Sequence, residues 1–240
     1  MDENGRDIIR QEILSRRDIG VLANAALFRG ISEEETGFLV KCLRARRHLF
    51  PKGSFIQHAG EPFTRIGIVL TGSVDILFED AVGRKSILTT IEPGGMFGEG
   101  AVTARLPASP VSVYASEDVS VCFLEYPFMV RSCEKNCSYH NLLVENMIEI
   151  LSRKLILMNK KLNYALTRSI RDKITAYLVD EYGTHKARRF DIVYNREGLA
   201  NYLSVDRSSL SRELAKMKEE GLIDFRKSRF ELKGPFFDAV

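Results

Sequence analysis

Residues 195–223, NREGLANYLSVDRSSLSRELAKMKEEGLI, constrain what this chain can fold into more than any other stretch. Asn195 is an N-cap residue, and Leu199, Ala200 and Leu203 then share one helical face. Ser204 and Val205 break the period. Asp206 caps a second helix with Leu210, Leu214 and Met217 as its inward stripe and Gly221 as its stop. Ala200 is small where two helices joined by so short a break must approach closely. The second helix opens with Arg207, Ser208, Ser209, Ser211 and Arg212, and Lys216 lies one turn on. Such side chains reach bases and phosphates, and a recognition helix enters the major groove by its first turns. Residues 222–232 alternate apolar and polar about Lys227 and Ser228, as a hairpin wing does. The pattern predicts a helix-turn-helix with a wing, in which Arg196, Asp206 and Lys227 join the second helix in facing double-stranded DNA. A plain amphipathic hairpin is the alternative, but it leaves the cap, small residue, break and basic start in register unexplained.

At 240 residues the chain has room for two domains. Its 45% hydrophobic content supports real cores, yet no apolar run approaches the ~20 residues of a membrane span. The N-terminal MDENGRDIIRQEILSRRD is charged throughout and lacks a signal-peptide apolar region. Four cysteines in a chain of this size suggest a reducing compartment without a disulfide framework. Together these features predict a cytoplasmic protein with no membrane partner. Residues 168–240 carry 15 Lys and Arg against 12 Asp and Glu, so the whole net charge of +3 sits with the helix-turn-helix, as phosphate binding favours. With no phosphate loop, nucleophile elbow or metal-ligand set in the sequence, an enzyme is not expected.

Along the chain, residues 1–20 read as a helical lead-in with Ile8, Ile9, Ile13 and Leu14 as its apolar edge. Residues 27–43 read as a short helix opened by Ser32, with Glu35 completing a capping box. From His48 to Phe123 the texture changes. Nine of the 17 glycines lie between Gly53 and Gly100, among β-type runs such as SFIQHAG, RIGIVLTG, SVDILFED, KSILTTIEPGG, VSVYAS and SVCFLEY. Ala81, Val82 and Gly83 make a hairpin-type break, and many short strands argue a sandwich or barrel. From Ser138 to about Leu166 the period becomes helical. Val144, Ile148, Leu151, Leu155, Met158, Leu162 and Ala165 alternate spacings of four and three, a heptad seam that a second copy of the chain would cover. Leu143, Met147, Ile150 and Leu157 lie off the seam and are expected to pack on the β-domain. A further helix, from Ser169 to about Tyr182, opens the DNA-binding domain. Cys133 and Cys137 form a C-x3-C pair beside His140, which leaves a redox or metal role open.

This order of parts resembles the Crp/Fnr family of bacterial transcription regulators. The anchors are Gly60-Glu61, Leu70-Thr71-Gly72-Ser73-Val74, Gly95-Met96-Phe97-Gly98-Glu99 and the helix-turn-helix. The resemblance implies an α+β chain: an N-terminal β-roll of cyclic-nucleotide-binding, jelly-roll type with its leading helices (1–137), a long dimerisation helix and hinge (138–167), and a C-terminal winged helix-turn-helix domain (168–240). It implies a homodimer on a palindromic promoter site, its recognition helices one helical turn apart, with RNA polymerase as a further partner and an allosteric effector in the roll. Arg207 and Arg212 fall where family members carry arginines, the latter of the base-reading kind. Ser211-Arg212 also matches the close of a Glu-x-x-Ser-Arg recognition motif, but Ser208 stands at the motif's Glu and has no carboxylate to offer a cytosine amine.

In the family's cyclic-AMP binders, a Gly-Glu pair is followed ten residues later by Arg-Ser. Here Gly98-Glu99 is kept, but Ser109-Pro110 replaces Arg-Ser, so the phosphate-pairing arginine is missing and proline has no N–H. Met158 and Asn159 stand where adenine contacts would be. The effector set is therefore Gly98, Glu99, Arg105, Ser109, Met158 and Asn159, with Arg105 as a substitute cation. The expected effector is an unidentified small molecule other than cyclic AMP, and no cofactor or metal is assigned. Two alternatives remain open: a constitutive DNA-binding regulator with a vestigial pocket, and a redox or metal sensor through Cys133 and Cys137.

Overall fold

The computed structural model describes residues 11–80, 82–130 and 139–238. Its chain forms two compact units, Met1–Ser152 and Arg153–Val240. In chain order the first unit holds β1 (Gln11–Glu12), α1 (Arg16–Asn24), a 3-10 turn (Ala26–Phe28), α2 (Glu33–Cys42), β2 (Arg46–Phe50), β3 (Phe55–Gln57) and β4 (Arg65–Thr71). There follow β5 (Val74–Glu79), β6 (Lys85–Ile91), β7 (Met96–Phe97), α3 (Glu99–Thr103), β8 (Ser112–Ala115), β9 (Val119–Glu125), α4 (Tyr126–Val130) and the start of α5 (Tyr139–Leu166). The strands make two antiparallel sheets, ordered β1-β2-β9-β4-β7 and β3-β8-β5-β6, the expected jelly-roll-like arrangement.

Two strands of the larger sheet are buried on both faces, which is why RIGIVLT and SVCFLE read as nearly unbroken apolar runs. Ile66, Ile68, Leu70, Cys122 and Leu124 share one core with α1, α2 and the first turns of α5. Val69, Val121 and Phe123 share a second core with Val74, Val113 and Ala115 of the smaller sheet. The chain passes from β4 to β5 through Gly72 at φ +73°, where a Cβ would sit 2.4 Å from the Asp118 carbonyl oxygen, so a side chain there would clash with backbone. Of the expected break between β5 and β6, Val82 and Gly83 lie in the turn, where Gly83 N–H donates to Asp80 O (2.9 Å), and Ala81 lies outside the described residues.

The N-terminal lead-in is not one helix. Ser15 and Asp18 form a capping box that starts α1 at Arg16, while Gln11 and Glu12 pair with His48 and Arg47 as an edge strand. Ile13 is 90% exposed, Leu14 packs partly on the core, and Ile8 and Ile9 lie outside the described residues. Ser32 and Glu35 make the second capping box as expected: Ser32 N–H donates to Glu35 Oε2 at 2.9 Å.

Helix α5 runs unbroken across the boundary between units. In its first part Leu143 and Met147 are buried in the roll's helical core, and Leu151, a seam position, packs partly against it with Ile150. Leu157 departs from expectation at 54% exposed, because it lies past the turns whose side chains join that core. The buried Asn146 amide donates to Leu27 O and Arg29 O, both at 2.9 Å, and satisfies two carbonyls that follow the 3-10 turn's start.

The second unit adds α6 (Ile170–His185), β10 (Arg189–Asp191), α7 (Arg196–Tyr202), α8 (Arg207–Glu219), β11 (Ile223–Arg226), β12 (Arg229–Leu232) and α9 (Gly234–Asp238). The wing is the expected hairpin about Lys227-Ser228, widened by β10, a strand too short for its alternation to be read, into the order β10-β12-β11. Among the described residues, no helix is long and apolar enough to cross a membrane.

Asn146→Ala leaves two carbonyls without their donor. It is expected to destabilise the roll by about 1–3 kcal/mol, seen as a lower urea midpoint with an unchanged slope.

Candidate DNA-binding surface and effector site

The helix-turn-helix is built as its sequence suggests. Asn195 Oδ1 accepts from Gly198 N–H (2.8 Å), and Leu199, Ala200 and Leu203 are buried against Leu210, Leu214 and Met217 in one core. The turn needs Ser204 at φ +53°, a left-handed conformation that costs energy for a residue with a Cβ. A buried lysine holds it there. Lys173 of α6 is 7% exposed, and its Nζ donates to Leu203 O (3.2 Å) and Ser204 O (3.4 Å), carbonyls that have no partner within α7. Arg171, two residues before it on α6, bridges Glu213 of α8 (2.6 Å) and Glu220 at its C-cap (2.7 Å). Thus α6 fixes both the turn and the second helix.

Helix α8 starts on Asp206, whose Oδ1 accepts from Ser209 N–H (2.9 Å) and Ser208 Oγ (2.5 Å). These hydrogen bonds hold the Asp206 carboxyl at a pKa of about 2. Ser211 Oγ donates to Arg207 O (2.9 Å), and Arg212 Nη2 to Ser209 Oγ (3.0 Å), which orients the guanidinium along the helix's first turns. Arg212 and Lys216 share a face at i, i+4, and both are exposed. A groove of about 540 Å3 joins Asn195, Arg196, Arg207, Lys227 and Ser228, bringing the starts of α7 and α8 to the wing tip. Within it the cations differ. The Arg207 guanidinium makes no hydrogen bond or ion pair with a described residue. Lys227 stands at the tip with φ +55°. Arg196 instead lies over the Phe225 and Phe230 rings (4.8 and 5.6 Å) and donates to Lys227 O (3.4 Å), and burial lowers its pKa. These contacts join the start of α7 to the wing.

The effector candidates are more scattered. Gly98 adopts φ +81°, and a Cβ there would meet Phe63 Cε1 at 2.0 Å, so the ring lies directly on the glycine. Phe63 stacks with Phe97 (6.2 Å), which in turn packs edge-on to Phe123 (6.1 Å) between the sheets. Glu99 is 7% exposed at the start of α3, and its carbonyl accepts from Thr103 Oγ1 (2.7 Å). Ser109 is pinned in its own loop: its N–H donates to Glu61 O (2.8 Å), its carbonyl accepts from Gly60 N–H (2.8 Å), and its hydroxyl donates to Val111 O (2.7 Å). Gly60-Glu61 therefore tethers the Ser109 loop. Arg105, at φ +53°, lines a cavity whose walls include neither Glu99 nor Ser109. Met158 and Asn159 are exposed on the part of α5 that belongs to the second unit. His140 is buried in the first turn of α5, while Cys133 and Cys137 lie outside the described residues. Among the described residues, no group of three or more His, Cys, Asp or Glu could hold a metal ion.

Sequence reasoning missed Lys173 and Phe63. A lysine on an amphipathic helix reads as solvated, and a phenylalanine between strands reads as core; neither carries a local signal of its tertiary partner.

Comparison with known proteins accords with this geometry. A cyclic nucleotide-binding domain model matches residues 47–136, and a Crp-like helix-turn-helix domain model matches residues 172–235. The CRP-like cAMP-activated global transcriptional regulator of Mycobacterium tuberculosis is 23% identical, over 85% of this chain and 90% of its own length. The transcriptional activator protein anr of Pseudomonas aeruginosa is 24% identical, over 84% of this chain and 82% of its own. Among solved structures, the catabolite activator protein of Thermus thermophilus shares the fold with a TM-score of 0.53 at 22% identity, covering 89% of this chain and 96% of that one.

Lys173→Met removes the donor shared by Leu203 O and Ser204 O. A loss of about 1–3 kcal/mol is expected, read from denaturant unfolding of the purified protein. Because the folded pKa of Asp206 lies below its ordinary 3.8, its cap contributes fully above pH 4 and is lost as pH falls through about 2. Amide exchange at Ser209, after allowance for the intrinsic pH dependence, should lose protection over that window in wild type and show no such step in Asp206→Ala.

Proposed function

The chain belongs to the Crp/Fnr family of DNA-binding transcription regulators, which is not a family of enzymes, and from that membership we propose a cytoplasmic, effector-controlled homodimer. In this reading residues 1–137 sense, 138–167 dimerise and hinge, and 168–240 bind a palindromic promoter site, where RNA polymerase is a further partner. The observation that carries it is the start of α8. Arg207, Ser208 and Arg212 are exposed there on a helix that α6 clamps through Arg171, beside the wing-tip Lys227. Arg212 is suited to reading a guanine through O6 and N7, and Arg207, Lys216 and Lys227 to binding phosphates. Ser209 and Ser211 orient that first turn, Asp206 caps it, and Arg196 positions the wing.

Dimerisation is supported by the seam. Ile148, Leu155, Met158 and Leu162 are 58, 62, 63 and 55% exposed, with Val144 half-buried and Ala165 exposed on the same heptad. Covering side chains of this size contributes roughly 1.5–3 kcal/mol each when burial is complete.

For the effector, cyclic AMP is disfavoured. The Ser109 hydroxyl and N–H are already engaged, Pro110 has no N–H, and an unpaired buried phosphate would cost several kcal/mol. We assign control to another small molecule, which can act only by as much as it prefers the DNA-competent state. A ligand-independent regulator is the second reading, favoured by the Phe63 ring seated on Gly98.

Fluorescence anisotropy with promoter DNA at physiological salt separates these. Cyclic AMP should leave the affinity unchanged; a tenfold tightening would reinstate it as the effector, and tight binding without any ligand would favour the second reading. Arg212→Ala should weaken specific binding by about 1–3 kcal/mol and relax preference at one position per half-site, whereas an equal loss on all sequences would make it a phosphate contact. Leu155→Glu should sediment as a monomer, and an unchanged dimer would refute the seam.

A further inference from the structure

Arg105 and the cavity it borders are not accounted for by the roll or the DNA surface. The cavity, of about 450 Å3, is lined by Phe63, Ala101, Val102, Leu106, Tyr126 and Val130 together with Thr64 and Pro127. That volume lies in the range of small-molecule sites. Its rim exposes apolar area, with Leu106 at 42% and Val130 at 46%. Arg105 stands at the edge in a left-handed conformation, and its guanidinium makes no hydrogen bond or ion pair with a described residue. Among the described residues no Asp or Glu lines the cavity, and one positive charge stands beside its apolar walls.

We propose that this groove beside α3 binds a small amphipathic carboxylate, its apolar body against Phe63, Ala101, Leu106 and Tyr126 and its carboxylate on the Arg105 guanidinium. The planar fork of arginine matches a carboxylate with two parallel hydrogen bonds. The apolar walls supply the transfer of an alkyl or aryl body out of water. A nucleotide fits less well: the Thr64 and Tyr126 hydroxyls are the hydrogen-bonding groups of the other lining side chains, too few to satisfy a purine edge. Phe63 gives the groove a route to the roll, because its ring both lines the groove and covers Gly98. A ligand that displaces that ring uncovers the start of α3. Binding itself is independent of the regulatory reading; its consequence for DNA rests on that reading.

The test is isothermal titration of the full-length protein with 4-phenylbutyrate and with octanoate, alongside anisotropy with promoter DNA. Wild type should bind at least one of them saturably, at one site per chain. Arg105→Gln, a change at an exposed position, should weaken that binding at least tenfold. Ala101→Trp, which fills the groove and keeps the arginine, should abolish it. The neutral 4-phenylbutan-1-ol should bind wild type at least tenfold more weakly than the acid and should not discriminate between wild type and Arg105→Gln. Absence of saturable binding by both acids, or affinity indifferent to both substitutions, overturns the site. If binding depends on Arg105 and Ala101 but DNA affinity does not change, the site stands and the effector reading fails for it.

Discussion

The first unit depends on two strands that bury both faces. β4 and β9 carry Ile66, Ile68, Leu70, Cys122 and Leu124 toward the helices and Val69, Val121 and Phe123 toward the second sheet. One pair of strands thereby serves two cores. Removing side chains from one face would weaken the packing of α1, α2 and α5, while the other face would lose the closure of the roll. The two faces can therefore differ in chemistry. On the helical side the strands present isoleucine, leucine and cysteine, and α5 is tied there to the Leu27 and Arg29 carbonyls by its Asn146 amide, whereas the inter-sheet side is rich in phenylalanine and adjoins Gly98.

Much of this was legible in the sequence because it is carried by local rules. Capping residues fix where helices begin, and Ser32, Asn195 and Asp206 all cap where expected. Buried strands announce themselves as apolar runs between glycines. The lead-in misread shows the limit of periodicity: Ile13 and Leu14 fit a helical edge, but the Ser15–Asp18 capping box and the pairing of Gln11 and Glu12 with β2 favour another structure. Leu157 shows the same limit. Its spacing places it on the face of α5 that carries Leu143, Met147 and Ile150, yet spacing cannot say how far along the helix the partner core extends.

The candidate site divides similarly. The DNA-facing residues come from one continuous stretch and its wing, so sequence alone gathers Arg207, Ser208, Arg212 and Lys227. The roll's candidates come from separate loops, and motif spacing could name them without saying what they touch. Ser109 proves to be held by Gly60 and Glu61, Arg105 faces a different hollow, and Gly98 is covered by an aromatic ring from a loop more than thirty residues earlier. Tertiary contact decides each case, and no periodicity encodes it.

The stacked Arg196 has a consequence for how the proposed surface would meet DNA. Its guanidinium is already immobilised on Phe225 and Phe230, so it adds to the positive potential of the groove with little further loss of side-chain freedom. A cation held in this way need not displace condensed counterions from a phosphate, whereas Arg207, Lys216 and Lys227 are free to do so. Each phosphate neutralised on duplex DNA contributes about −0.9 to the slope of log affinity against log salt. The ionic-strength dependence would thus count the mobile cations of the surface and pass over the one that shapes it.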